Sequence, residues 1–334
     1  MGSLSGFAAA VEERLLVPTY GSRWPFAPIA AHRGLSLPLQ LTGPVRAGTV
    51  VTSDGPVRVV GIGRDKLIAP LVAHLFGREA DGAVGRRRAL WNPTALTGYD
   101  ADLVVAEVHR WMAPRFRRAG WIIVPDAVRW AGDLAHVPGP SPSHSLRQDL
   151  RKVARAGFTL TQSTAPDAWE MFATRMVAPQ ARARFGAEAW IPSRALLRTL
   201  MRVGTLHLIW WSGELVSGVC SVLRGDTVWF PVSGVRDGDP ELFRRGAGLA
   251  VYVLPFAWAR TAGYRRIDVG RTGPFIHDGV QQVKRKWGLL AESDPLVRVV
   301  AMRIGSEGAR RAFAREPVLV EGEEGLCTYR GDPT

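Results

Sequence analysis

Between residues 206 and 269 the chain spells three strand-like segments in tandem, 206–211, 215–223 and 227–232, then a long helical stretch at 242–261 and a fourth strand at 265–269. The first three are joined by SGE and RGD, with Gly213 and Gly225 at the turns, so they can only meander antiparallel. A helix of that length between two strands is the connection that lets the later strand return parallel. The pattern therefore predicts a mixed α/β sheet and excludes a doubly wound parallel one.

The segments around this block fit the same class. Residues 158–162 read as a strand, 165–177 and 193–202 as helices, 279–287 as a short helix, 297–303 as a strand and 306–314 as a last helix. In the first 140 residues a helix is expected at 7–16, alternating strands and turns at 24–41 and a strand at 57–62. A helix at 65–76, interrupted by Pro70, should follow, then a Gly- and Arg-rich loop at 78–88, a helix at 101–118 and a strand at 121–124. VPGPSPSHS, 137–145, is the most loop-like stretch, and the reading places a boundary there between lobes 1–140 and 141–334. It runs into SLRQDLRKVARAGF, a helix with Ser145 as expected N-cap and Gly157 as its stop. Leu146, Leu150 and Val153 should face inward and Arg147, Arg151, Lys152 and Arg155 outward.

Composition narrows the function classes. No run of 18 apolar residues suggests a membrane span, and the first residues lack the basic start and apolar run of a secretion signal. Two cysteines, Cys220 and Cys327, cannot build a disulfide framework or a thiolate metal site, and the histidines lack ligand spacing, so no metal and a cytoplasmic location are expected. The formal charge of +13 suits a polyanionic partner, RNA or an acidic membrane surface, as well as plain solubility. Only four of the 43 basic residues are lysines, Lys66, Lys152, Lys284 and Lys286. Two of them fall within three residues of each other.

Those two belong to IDVGRTGPFIHDGVQQVKRKWG, residues 267–288. The motif resembles the signature of the FemAB-like, or acetyltransferase 6, branch of the GNAT superfamily, on Asp268, Gly270, Arg271, Lys284, Arg285, Lys286, Trp287 and Gly288. The element order of residues 155–320 also resembles that fold, and the helix SLRQDLRKVARAGF resembles the basic helix at the start of the branch's domain. The resemblance implies two GNAT-like lobes, with residues 1–140 a degenerate first one. It further implies transfer of an acyl or aminoacyl group to an amine by direct attack, with no covalent enzyme intermediate and no cofactor.

Amide formation needs the amine deprotonated, the carbonyl oxygen stabilised as it becomes an oxyanion, and both reactants aligned. In the resemblance Lys284 holds charged atoms of the donor; the plainer reading is a solvated helix face. Asp268 and Arg271 position the acceptor or form a structural ion pair. His277 could supply a general base or be ordinary surface. Arg285, Lys286, Trp287, Arg147, Arg151 and Lys152 complete the candidate donor-binding set, Trp287 reading first as core or cleft wall.

One departure bears on the donor. Acetyl-CoA enzymes of this fold cradle pyrophosphate with an Arg/Gln-x-x-Gly-x-Gly/Ala loop before the long helix, where bare backbone N–H groups meet the phosphates. Here Arg244, Arg245, Gly246 and Gly248 spell RRGAG, with Asp237, Asp239 and Glu241 close by to repel phosphate. This spacing favours aminoacyl-tRNA over an acyl-CoA or carrier-protein thioester as donor, with an amine-bearing small molecule or peptide as acceptor. A pair of lobes that binds RNA or an anionic surface without catalysis is the rival of a different class.

Overall fold

The structure, a computed structural model, describes residues 41–63, 65–78, 81–186, 189 and 191–331. The helix expected at 7–16 and all but the last residue of 24–41 lie outside them. The fold is mixed α/β and packs as two units, neither continuous in sequence: one holds 130–271 and 283–290, the other 41–129, 272–282 and 291–331.

In the first unit the sheet runs, by neighbour, Val128–Asp133, Arg266–Thr272, Thr227–Trp229, Glu214–Arg224, Gly204–Trp211 and Thr159–Ser163. The meander is antiparallel as the tight turns require, Gly213 and Gly225 adopting φ of 81° and 59°. Thr227–Trp229 pairs in parallel with Arg266–Thr272 after the helical crossover. One sheet face carries Leu206, Leu208, Cys220, Val222 and Trp229 against Trp169, Phe172 and Met176. These last three lie on a helical run through Pro166–Met171, a π-helical Phe172–Val177 and Ala178–Phe185. The helix Ala247–Thr261 buries Ala250, Val251, Phe256 and Ala259.

Local chemistry shifts several boundaries. The basic helix is His144–Ala156, capped by Ser143, whose Oγ accepts from Leu146 N, and not by Ser145; Gly157 stops it at φ 70°. The long helix expected at 242–261 is two, Pro240–Arg245 and Ala247–Thr261, because Gly246 turns left-handed at φ 104°. The third meander strand ends at Trp229 and resumes as Ser233–Val235, which pairs with the neighbouring meander strand.

The second unit has its own mixed sheet, in the order Asp81–Val84, Val45–Thr52, Gly55–Ile62, Leu103–Val108, Val299–Ile304, Ile122–Pro125. Asp81–Val84 lies in what the sequence reads as loop. The helix expected over 101–118 is overturned: Leu103–Val108 is a strand, and only Ala113–Arg118, after a 3-10 turn, is α-helical. All six residues of the strand are buried because it lies mid-sheet, parallel to Gly55–Ile62 and antiparallel to Val299–Ile304. A strand covered on both faces shows a continuous apolar run, which periodicity cannot tell from a buried helix. Val299–Ile304 sits between Leu103–Val108 and Ile122–Pro125, so residues near the C-terminus complete a sheet begun before residue 50. No single boundary at 137–145 separates the units for that reason. The hairpin of Val318–Glu321 with Leu326–Tyr329, unforeseen in the sequence, belongs here too.

Candidate active site

The two parallel strands of the first unit stay together for only three pairs, Thr227 with Arg266, Val228 with Ile267 and Trp229 with Asp268. Phe230 N then donates to Asp268 O at 2.7 Å. Were the ladder to continue, Gly270 N would turn to Phe230 O and Gly270 O would accept from Val232 N. Both groups are diverted. Gly270 N donates to Asp268 Oδ1 at 2.9 Å, and Gly270 O accepts from Lys284 Nζ at 3.2 Å, as does Arg271 O. Gly270 itself is left-handed at φ 76°. The strands part here, Ser233–Val235 turning to residues 217–219 while Arg266–Thr272 runs on.

Asp268 and Lys284 are thus brought together, one on each side of the Gly270 peptide. Both are buried, at 2% and 3% exposure, so neither is the solvated side chain that a plain K-R-K helix face would offer. Asp268 also faces Arg224, whose Nη1 lies 3.8 Å from Oδ2 and whose guanidinium covers the Trp229 ring at 4.3 Å. Trp287 is core: it stacks on Tyr252, with centroids 5.9 Å apart, and meets Phe256 edge-on at 5.4 Å. Lys286 pairs with Asp149 of the basic helix, while Arg285 is exposed. Arg147 is exposed and donates to Pro142 O at 2.6 Å. His277 belongs to the other unit, 52% exposed at its side chain, with Nδ1 3.3 Å from Glu316 Oε2.

Arg151 and Lys152 lie elsewhere in the first unit, in an open cavity of about 630 Å³ lined by Gln148, Arg151, Lys152, Arg155, Ala156, Trp211 and Arg245. Gln148, Arg151, Lys152 and Arg155 recur at helical spacing and so share one face of His144–Ala156. Like charges at that spacing disfavour a helix by about 0.2–0.5 kcal/mol per pair, so this face is held at a cost. Arg245 reaches in from the turn before the long helix, its guanidinium 4.7 Å from the Trp211 ring centre. The acids expected to repel phosphate are occupied: Asp237 by Arg175 at 2.8 Å, Asp239 as an N-cap for Glu241 N, and Glu241 by Arg244 and Arg245. Asp237 is held below the usual carboxylate range, chiefly by its hydrogen bond from Arg175. Gly248 serves packing, since a Cβ there would stand 2.7 Å from the Phe243 ring.

Residues 142–285, which contain the parted strands, both glycine turns and the basic helix, match the family model described as Acetyltransferase (GNAT) domain. This segment is a GNAT acyltransferase domain of the FemAB-like branch. No curated protein sequence matches the chain. Among solved structures, the chain is similar to L-PGS from Bacillus licheniformis, at 14% identity and a TM-score of 0.42 over 78% of this chain and 85% of that one. It is also similar to the C-terminal domain (DUF2156) of a putative lysylphosphatidylglycerol synthetase from Agrobacterium fabrum, at 13% identity and 0.42 over 90% and 93%. FemX is similar at 11% identity and 0.40 over 77% and 82%.

The sequence singles out Asp268, Gly270 and Lys284 but gives Lys284 the part of holding the donor; here the side chains of Asp268 and Lys284 turn to backbone at Gly270 and Arg271. Gln148, Arg155, Trp211 and Arg245 of the cavity were not among the predicted site residues. The i, i+3, i+4, i+7 recurrence from Gln148 was the available signal for two of them. Trp211 had no such signal, because a bulge between Ile209 and Trp210 resets the alternation that predicts which face a strand residue takes. Among the described residues no cluster of His, Cys, Asp or Glu could hold a metal, and no helix is long and apolar enough to cross a membrane.

Proposed function

We propose that this protein forms amide bonds, moving an aminoacyl group from aminoacyl-tRNA onto an amine by direct attack. The parting of two parallel strands inside the GNAT segment carries the reading. Strands that separate leave main-chain edges where an extended donor can lie beside the attacking amine, and amide formation asks mainly for that alignment. In this reading Asp268 and Lys284 are positioning residues, since they hold the Gly270 peptide out of the ladder.

The donor assignment is supported by the charge of +13 and by the open cavity lined with four basic side chains, both suited to a polyanion. An acyl-CoA or carrier-protein thioester is the second reading. It is favoured by the neutralised acids beside Gly246, which remove the repulsion a pyrophosphate would otherwise meet there. Incubation with charged tRNA and, separately, with acetyl-CoA, each with a panel of amines, tests the choice. RNase-sensitive consumption of charged tRNA is expected. Turnover of acetyl-CoA alone would transfer the function to the second reading, and no turnover of either donor would leave an RNA- or anionic-surface-binding adaptor.

A further inference from the structure

Among the described residues Arg151, Lys152 and Arg155 have no ion-pair or hydrogen-bond partner, yet all three line one cavity. The same lining includes an indole, Trp211, with the Arg245 guanidinium over its ring. Arg151 and Arg155 lie about 6 Å apart along the helix axis at 1.5 Å per residue, so they can grip neighbouring phosphoryl groups from two points. Gln148, on the same face, adds an amide that both donates and accepts.

We propose that this cavity is a nucleotide subsite: Arg151, Lys152 and Arg155 hold phosphate oxygens, and a base stacks against Trp211, with Arg245 bracing the ring. Cations alone would suit any anion. A tryptophan face set among them is what a flat base adds to a phosphate, because stacking on an aromatic side chain is open to every base. The volume, about 630 Å³, falls in the usual range of small-molecule sites. The inference deepens the donor reading above and rests on it, since two of the candidate donors carry a nucleotide, at the 3′ end of tRNA and in the nucleotide half of coenzyme A, whereas a carrier-protein thioester carries none.

The test is equilibrium binding to the full chain, by calorimetry, of pyrophosphate, ADP, coenzyme A and a short single-stranded RNA ending in CCA. ADP is expected to bind at least tenfold more tightly than pyrophosphate. Trp211→Ala should erase that advantage while leaving pyrophosphate within twofold, and Trp211→Phe should restore most of it, which separates stacking from a folding defect. Arg151→Ala with Arg155→Ala should weaken both ligands at least tenfold and flatten their salt dependence. Equal affinity for ADP and pyrophosphate, or an ADP affinity indifferent to Trp211→Ala, overturns the proposal. The tighter of RNA and coenzyme A, each displacing ADP, identifies the source of the nucleotide; failure of both to displace it also overturns the proposal. Binding as described without acyl transfer from either donor would refute the acyltransferase reading and leave the subsite standing. Transfer with a KM for the donor unchanged in Trp211→Ala would do the reverse.

Discussion

Replacing Lys284 by Met tests the strand clamp most directly. Methionine retains the length and much of the volume of the lysine stem, so the change removes the ammonium with little cavity left behind. What is lost is the donor to Gly270 O and Arg271 O, at 3.2 Å each. A hydrogen bond from a charged group contributes about 1.5–3 kcal/mol, and a buried carbonyl left without a donor costs about 1–3 kcal/mol. Arg271 is only half-buried and its carbonyl can turn to water, whereas Gly270 is buried, so the two bonds do not count equally. The expected loss of stability is about 2–4 kcal/mol, or on the order of 10 °C in Tm. Urea denaturation followed by far-UV circular dichroism should show a lower midpoint at unchanged slope. Donor turnover, measured where both proteins are folded, should fall at least tenfold, because the strands are then free to zip past Asp268. A stability change below about 0.5 kcal/mol, the level of an ordinary surface substitution, would refute the burial of Nζ. Unchanged turnover in a folded Lys284→Met protein would remove the lysine from the mechanism.

Three further outcomes follow from the same geometry. Gly270→Ala places a Cβ in left-handed backbone at φ 76° and should cost about 1–2 kcal/mol, read as a lowered urea midpoint; no loss would mean the turn is not held. His207 is fully buried with Nε2 2.8 Å from Ser221 Oγ, and burial pushes its pKa down to about 4. Because the unfolded chain takes up this proton first, near pH 6.5, the stability is fully present above pH 6.5 and lost as pH falls toward 4, by roughly 3 kcal/mol; His207→Gln should flatten that part of the midpoint-against-pH curve, and a parallel curve would count against a buried neutral imidazole. Ser143→Ala removes the N-cap of the basic helix and should cost about 1 kcal/mol, with weaker ADP binding as the cavity wall frays, both measurable on one sample by thermal melt and calorimetry.

Much of the GNAT domain was legible in the residues. The hairpin glycines and Gly157 at the helix end each state a local geometric need, and local needs are written in sequence. Ser143 in place of Ser145 and the break at Gly246 are small shifts of the same kind, settled by which hydroxyl reaches a free N–H and which glycine turns left-handed.

What tertiary structure alone decided depends on partners distant in the chain. Residues 103–108 fit an apolar helix stripe as well as a strand, and only the neighbours Gly55–Ile62 and Val299–Ile304, covering both edges, make them a strand. Lys284 reads as a solvated helix face until the Gly270 and Arg271 carbonyls, more than a dozen residues away, claim its ammonium. The basic cavity is likewise an assembly of one helix face, one strand end past a bulge and one interhelical turn. Spacing within a segment fixes which residues share a face; which face meets which is a property of the packed chain, where burial and hydrogen-bond satisfaction choose among patterns the sequence leaves equivalent.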